Sequence, residues 1–99
     1  MFALFIDDRT EVDLQELVDY YDSLSNGLGK KFLVAFEKEL ALLSTNPFYR
    51  IRYRNIRCKS IKRFPYQIHY SLNLRKKQLF VYGIINSKRG PSKSKISSK

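Results

Sequence analysis

Two hydrophobic periods divide the chain at Pro47. Before it, apolar side chains recur at the spacing of a helix; after it they fall at alternate positions, so helices are expected first and strands afterwards. Leu14, Leu17, Val18 and Tyr21 stand at i, i+3, i+4 and i+7, the stripe of an amphipathic helix that ends near Leu24. Thr10 or Asp13 is placed to cap it, each with an acidic residue three positions on, and Glu11, Asp13 and Glu16 suit the positive end of its dipole. Ser25-Asn26-Gly27 supplies a turn. A second stripe of Phe32, Ala35, Phe36, Leu40 and Leu43 follows, with Lys31, Lys38 and Glu39 mostly off it, and stops before Asn46-Pro47. So short a connection makes the two helices antiparallel neighbours on a shared floor.

The floor must come from the remaining segments. Phe2 to Ile6 is short, apolar and rich in strand formers, which predicts a buried first strand closed by Asp7 and Asp8. Residues 51–64 are strand-like, yet Ile56 and Cys58 share a parity that Ile61 does not, which predicts a bulge near Lys59-Ser60 or a break into two strands. Tyr66, Ile68, Tyr70 and Leu72 alternate with Gln67, His69 and Ser71, the pattern of a half-buried strand whose first set faces the core. Asn73 to Lys77 form a polar turn. Residues 78–86 are apolar on both parities, as in a central strand covered on both faces. The expected fold is α+β, in the order β-α-α-β-β-β, with a curved antiparallel sheet carrying the helical hairpin on one face and an open, basic surface opposite. One domain is expected over residues 1–89, followed by a basic tail over 90–99 that is disordered or ordered only on a partner.

Charge sharpens this picture. The 99 residues carry 19 Lys+Arg against 9 Asp+Glu, a formal charge of +10, and the two signs are segregated. All nine carboxylates lie before residue 47, beside only Arg9, Lys30, Lys31 and Lys38; the remaining fifteen cations lie after it with no Asp or Glu among them. Such segregation builds a potential that attracts a polyanion or an acidic protein. Other classes are excluded by size and composition. A chain of this length has room for one core and no large internal cofactor pocket. Its longest apolar runs fall far short of the ~20 residues that cross a bilayer, and Met1 to Ile6 lacks the basic leader and cleavage site of a signal peptide, so a cytoplasmic address is expected. A single cysteine, Cys58, and a single histidine, His69, cannot assemble a structural zinc site; no metal or cofactor is expected.

Several pieces then align in order: Asp13-Leu14 and Tyr20-Tyr21 in the first helix, Gly27-Leu28-Gly29-Lys30-Lys31-Phe32 opening the second, Asn46-Pro47 closing it, then Ile56-Arg57, Arg63-Phe64-Pro65-Tyr66, Ile68-His69-Tyr70 and Arg89-Gly90-Pro91. Over nearly the whole chain this set resembles the RelE/ParE superfamily of toxins from bacterial type II toxin–antitoxin systems, and Phe-Pro-Tyr with Tyr-Tyr leans to the ParE side. The resemblance implies a toxin held inactive by a cognate acidic antitoxin. It implies one of two targets: DNA gyrase, inhibited without catalysis by ParE-like members, or messenger RNA on the ribosome, cut by RelE-like endoribonucleases.

The residues at the matching positions favour the first target. From Gly83 to Lys99 there is no Tyr, His, Asp or Glu; Asn86 stands where many relatives place a strand-end histidine, and Gln67 where the nucleases often place an arginine. Attack by an RNA 2′-hydroxyl needs groups that take and give a proton near neutrality, and an amide does neither. For a nuclease the remaining candidates are Arg63, His69 and Arg89, with His69 expected on the open strand face beside Arg57. For target or antitoxin binding the candidates are Arg57, Lys59, Lys62, Arg63, Gln67, His69, Asn86, Lys88 and Arg89. Cys58 is expected to be a small hydrophobe rather than a nucleophile.

Overall fold

A computed structural model describes residues 1–87 of the chain. Lys88, Arg89 and the expected tail over 90–99 lie outside the described residues. The element order is β1 (Ala3–Ile6), α1 (Asp8–Leu24), α2 (Leu28–Thr45), β2 (Ile51–Tyr53), β3 (Ile56–Ser60), β4 (Tyr66–Asn73) and β5 (Gln78–Asn86). The strands form one sheet in the order β1-β5-β4-β3-β2. Three of its pairings are antiparallel hairpin neighbours; the fourth, β1 with β5, is parallel, because the first strand returns to the sheet only after the whole chain has passed through the helices and the meander.

Both helices form where the stripes placed them, but their ends are set by other residues. The N-cap of α1 is Asp7, whose Oδ1 accepts the Thr10 amide at 2.8 Å, rather than Thr10 or Asp13. Gly27 turns the chain into α2 with φ at +86°, a conformation that costs glycine nothing. The second helix has no cap of its own; Asp22 on α1 supplies one by accepting the Gly29 amide at 2.8 Å. A Cβ on Gly29 would run into the Val18 carbonyl and the Asp22 carboxylate, so glycine sets how closely the two helices approach.

Tyr21, Phe32, Phe36, Leu40 and Leu43 from the helices meet Ile61, Ile68, Tyr70, Leu79, Val81 and Ile84 from the sheet in one buried cluster. The Tyr70 hydroxyl donates to the Pro47 carbonyl at 2.7 Å, which ties the helix exit to the central strand, and burial pushes that phenol up to about 12.

Three expectations change. The first strand is an exposed edge, not a buried one: Phe5 is 44% exposed, with its ring stacked on Phe80. The irregularity in residues 51–64 is a break into two strands at the Arg54-Asn55 turn, where Arg54 takes φ +50°, not a bulge at Lys59-Ser60. The mixed parity of β5 comes from a bulge. His69 pairs with Gly83 but Tyr70 pairs with Val81, so Tyr82 is the extra residue; Leu79 and Val81 face the core before it and Ile84 after it. Tyr82 is thereby left 54% exposed on a strand that is covered on one face only.

Candidate functional site

His69 is on the face of β4 that turns away from the helices, as its parity requires, yet it is only 1% exposed. The cause is β2. That short strand folds back on β3, and the Tyr53 hydroxyl meets His69 Nδ1 in a hydrogen bond of 2.8 Å. Cys58 flanks the ring from β3, and Gly83 flanks it from β5. Nε2 is buried without a hydrogen-bond partner among the described residues. Burial first, and the nearby Arg52 guanidinium second, pull the imidazole down to about 4. At neutral pH the ring is uncharged and closed to solvent. Burial likewise pushes the Cys58 thiol up, against a smaller opposing pull from Arg52, so it stays protonated, as expected of a small hydrophobe.

The cations expected beside it are elsewhere. In register, Arg57 opposes Tyr70 and Lys59 opposes Ile68, two core residues, so both side chains lie on the helix side of the sheet and His69 on the other. The Lys59 ammonium is 3.1 Å from Glu39 Oε1 on α2 and 5.4 Å from the centre of the Tyr49 ring. Arg57 donates to the Tyr49 carbonyl at 2.9 Å and lies 5.9 Å from the Phe48 ring centre. Sequence reasoning missed Glu39, which is 5% exposed. Its position, three residues after Phe36 and seven after Phe32, was the available signal that it sits on the core stripe.

Of the other candidates, Lys62 and Arg63 are exposed in the loop between β3 and β4, Arg63 with φ at +74°. Gln67 is half-buried on the His69 face, opposite Ser60 and Ile85, while Asn86 pairs with Tyr66. These four share one end of the sheet, the end at which the Ser87 amide donates to the Pro65 carbonyl at 2.8 Å. Arg75, Lys76 and Lys77 in the β4–β5 turn, with Arg54 in the β2–β3 turn, occupy the opposite end. The basic half of the chain is thus divided between two ends of the sheet and the helix face. A shallow groove of about 400 Å³, lined by Asp13, Glu16, Leu17 and Tyr20 of α1 with Tyr66 and Ile84 of the sheet, is of opposite charge to both ends.

No family model matches the sequence, and no curated protein matches it. Solved structures do. A chain of the chromosomal ParDE toxin–antitoxin system from P. aeruginosa superposes with a TM-score of 0.73 at 16% identity, over 87% of this chain and 96% of that one. The isolated E. coli RelE toxin superposes with a TM-score of 0.63 at 14% identity, over 93% of this chain and 90% of that one.

The fold is RelE/ParE-like. The likeness read from the ordered motifs and the likeness of the backbone therefore agree, and the expected α+β architecture with a helical hairpin on one sheet face is the one observed. No helix among the described residues is long and apolar enough to cross a membrane. On this RelE/ParE-like scaffold the sequence-predicted site residues divide. Lys62, Arg63, Gln67 and Asn86 come together, Arg57 and Lys59 are held on the other face, His69 is enclosed, and Lys88 and Arg89 lie outside the described residues. Tyr53 and Arg52, which enclose and depress His69, were not anticipated; nothing in their spacing distinguishes them from strand-edge residues.

Proposed function

We propose that this chain is the toxin of a type II toxin–antitoxin pair and that it acts as a ParE-like inhibitor of DNA gyrase, neutralised by a cognate acidic antitoxin, in the cytoplasm. The toxin reading rests on two likenesses that are independent of each other, one in the order of motifs and one in the backbone.

The observation that carries the choice of target is the enclosure of His69. A nuclease built from Arg63, His69 and Arg89 needs an imidazole that reaches a 2′-hydroxyl or a leaving oxygen and changes charge near neutrality. This ring is 1% exposed, is bonded through Nδ1 to Tyr53 and is held at about 4. Arg57 and Lys59, the cations nearest to it in sequence, are engaged with Tyr49 and Glu39 on the far face. Lys62 and Arg63 remain free to meet phosphate or carboxylate, which suits a binding role.

The antitoxin side follows from charge and shape. A basic chain attracts an acidic segment that folds on binding, and the affinity should weaken with salt where rim charges dominate. Expressing the chain in cells and scoring gyrase-linked DNA breaks against cut messenger RNA tests the reading. Gyrase-linked breaks, relieved by co-expression of the acidic product of a neighbouring reading frame, support it. Cut messenger RNA overturns it, as does normal growth with neither product.

A further inference from the structure

The groove between α1 and the sheet is the one concave surface of the described residues with a charge opposite to that of the chain. Leu17, Tyr20, Tyr66 and Ile84 make its floor and walls apolar, while Asp13 and Glu16 stand on its rim. Neither rim carboxylate has a hydrogen-bond or ion-pair partner among the described residues; the Lys59–Glu39 pair lies on another element. The rim belongs to a helix with six carboxylates and one cation, Arg9. Such a surface fits a cationic segment that brings an aliphatic anchor.

The chain itself ends in one. Residues 88–99 carry Lys88, Arg89, Lys93, Lys95 and Lys99, no carboxylate, and Ile96. They depart from Ser87, whose amide is bonded to Pro65, the residue before groove-lining Tyr66, and which follows Ile84 by three positions. The segment thus starts beside the groove. Twelve residues span up to ~40 Å when extended, far more than the ~10 Å rise along α1 from Asp13 to Tyr20.

We propose that this groove is the docking site of the chain's own C-terminal segment, with Lys and Arg of residues 88–99 meeting Asp13 and Glu16 while Ile96 enters the apolar floor. Docking in cis has a high effective concentration, so modest contacts suffice. It also withdraws Lys88 and Arg89 from any external polyanion until a competing partner displaces the segment.

The test uses the full chain with Cys58→Ser and Ser97→Cys, a nitroxide on the new thiol, and amide signals followed by NMR. Docking predicts about twofold or greater signal loss at residues 13–20 and at Tyr66, unchanged on dilution because the contact is intramolecular, and recovery at high salt. Asp13→Asn with Glu16→Gln should restore those signals, and so should Lys93→Glu with Lys95→Glu, which leaves residues 1–87 unaltered. Absence of signal loss on α1 overturns the proposal. So does a loss that fades on dilution, which would mark capture by a second copy, or a loss that survives both charge variants.

Discussion

The Tyr53 hydroxyl and His69 Nδ1 lie 2.8 Å apart between β2 and β4, and this contact keeps a neutral imidazole sealed beneath the short strand. Its consequence is a pH dependence with a definite sign. The free imidazole titrates near 6.5, whereas the folded one is held at about 4 by burial and then by Arg52. Between these values the unfolded chain takes up a proton that the folded chain refuses. The stabilisation is complete above pH 6.5 and is lost as the pH falls toward 4, amounting to about 3 kcal/mol across the window. Urea unfolding of the protein and of His69→Gln at a series of pH values should show this slope in the first and not in the second. Equal slopes would mean that the ring is open to solvent.

Breaking the pair on the opposite face should cost stability rather than binding. Lys59→Ala strands a Glu39 carboxylate that is 5% exposed, and a loss of about 2–4 kcal/mol is expected, less than for a fully buried pair because Lys59 is partly solvated. Replacing both partners by Leu and Met should recover most of it. A double-mutant cycle by denaturation measures the coupling. Near-additive losses would contradict the pairing.

The close approach of the helices makes Gly29→Ala damaging. The added methyl meets the Val18 carbonyl and Asp22, so α1 and α2 must part or the Asp22 cap must break, for a loss of about 2–4 kcal/mol. Asp22→Ala alone, which removes only the acceptor, should cost about 1 kcal/mol. Thermal melts of both variants rank the two effects.

Much of this architecture was legible in the sequence, for reasons that also explain what was not. The stripes through Leu14 to Tyr21 and Phe32 to Leu43 are local in sequence and gave α1 and α2 almost to the residue. Ile68 and Tyr70 were placed in the core by simple alternation. The site was harder because it depends on register across strands. The apolar parity of Ile56 and Cys58 pointed inward only while β2 was unknown; once Tyr53 covers the outer face, that parity can turn away from the helices and Arg57 and Lys59 face them. Likewise the Tyr82 bulge reverses the parity of β5 midway, so an uninterrupted alternation could not be read there. The family likeness survived these local errors because it rested on the order of elements and turns.

Arg63 offers a clean separation of charge from fold. Its φ of +74° is a left-handed conformation that strains any residue with a Cβ by about 1 kcal/mol. Arg63→Gly should therefore be at least as stable as the parent while lacking the exposed guanidinium. Weaker binding to the target or to the antitoxin in this variant, measured with matched melting curves, would assign the loss to the cation alone. Unchanged binding would remove Arg63 from the interface.

The most direct measurement combines the purified chain with purified gyrase and supercoiled DNA, and in parallel with ribosomes translating a defined messenger. The proposed mechanism predicts inhibited supercoiling with accumulation of gyrase-linked cleaved DNA, intact messenger, and the same outcome for His69→Gln once its fold is verified. Cleavage of the messenger that disappears in His69→Gln, with gyrase unaffected, would contradict it.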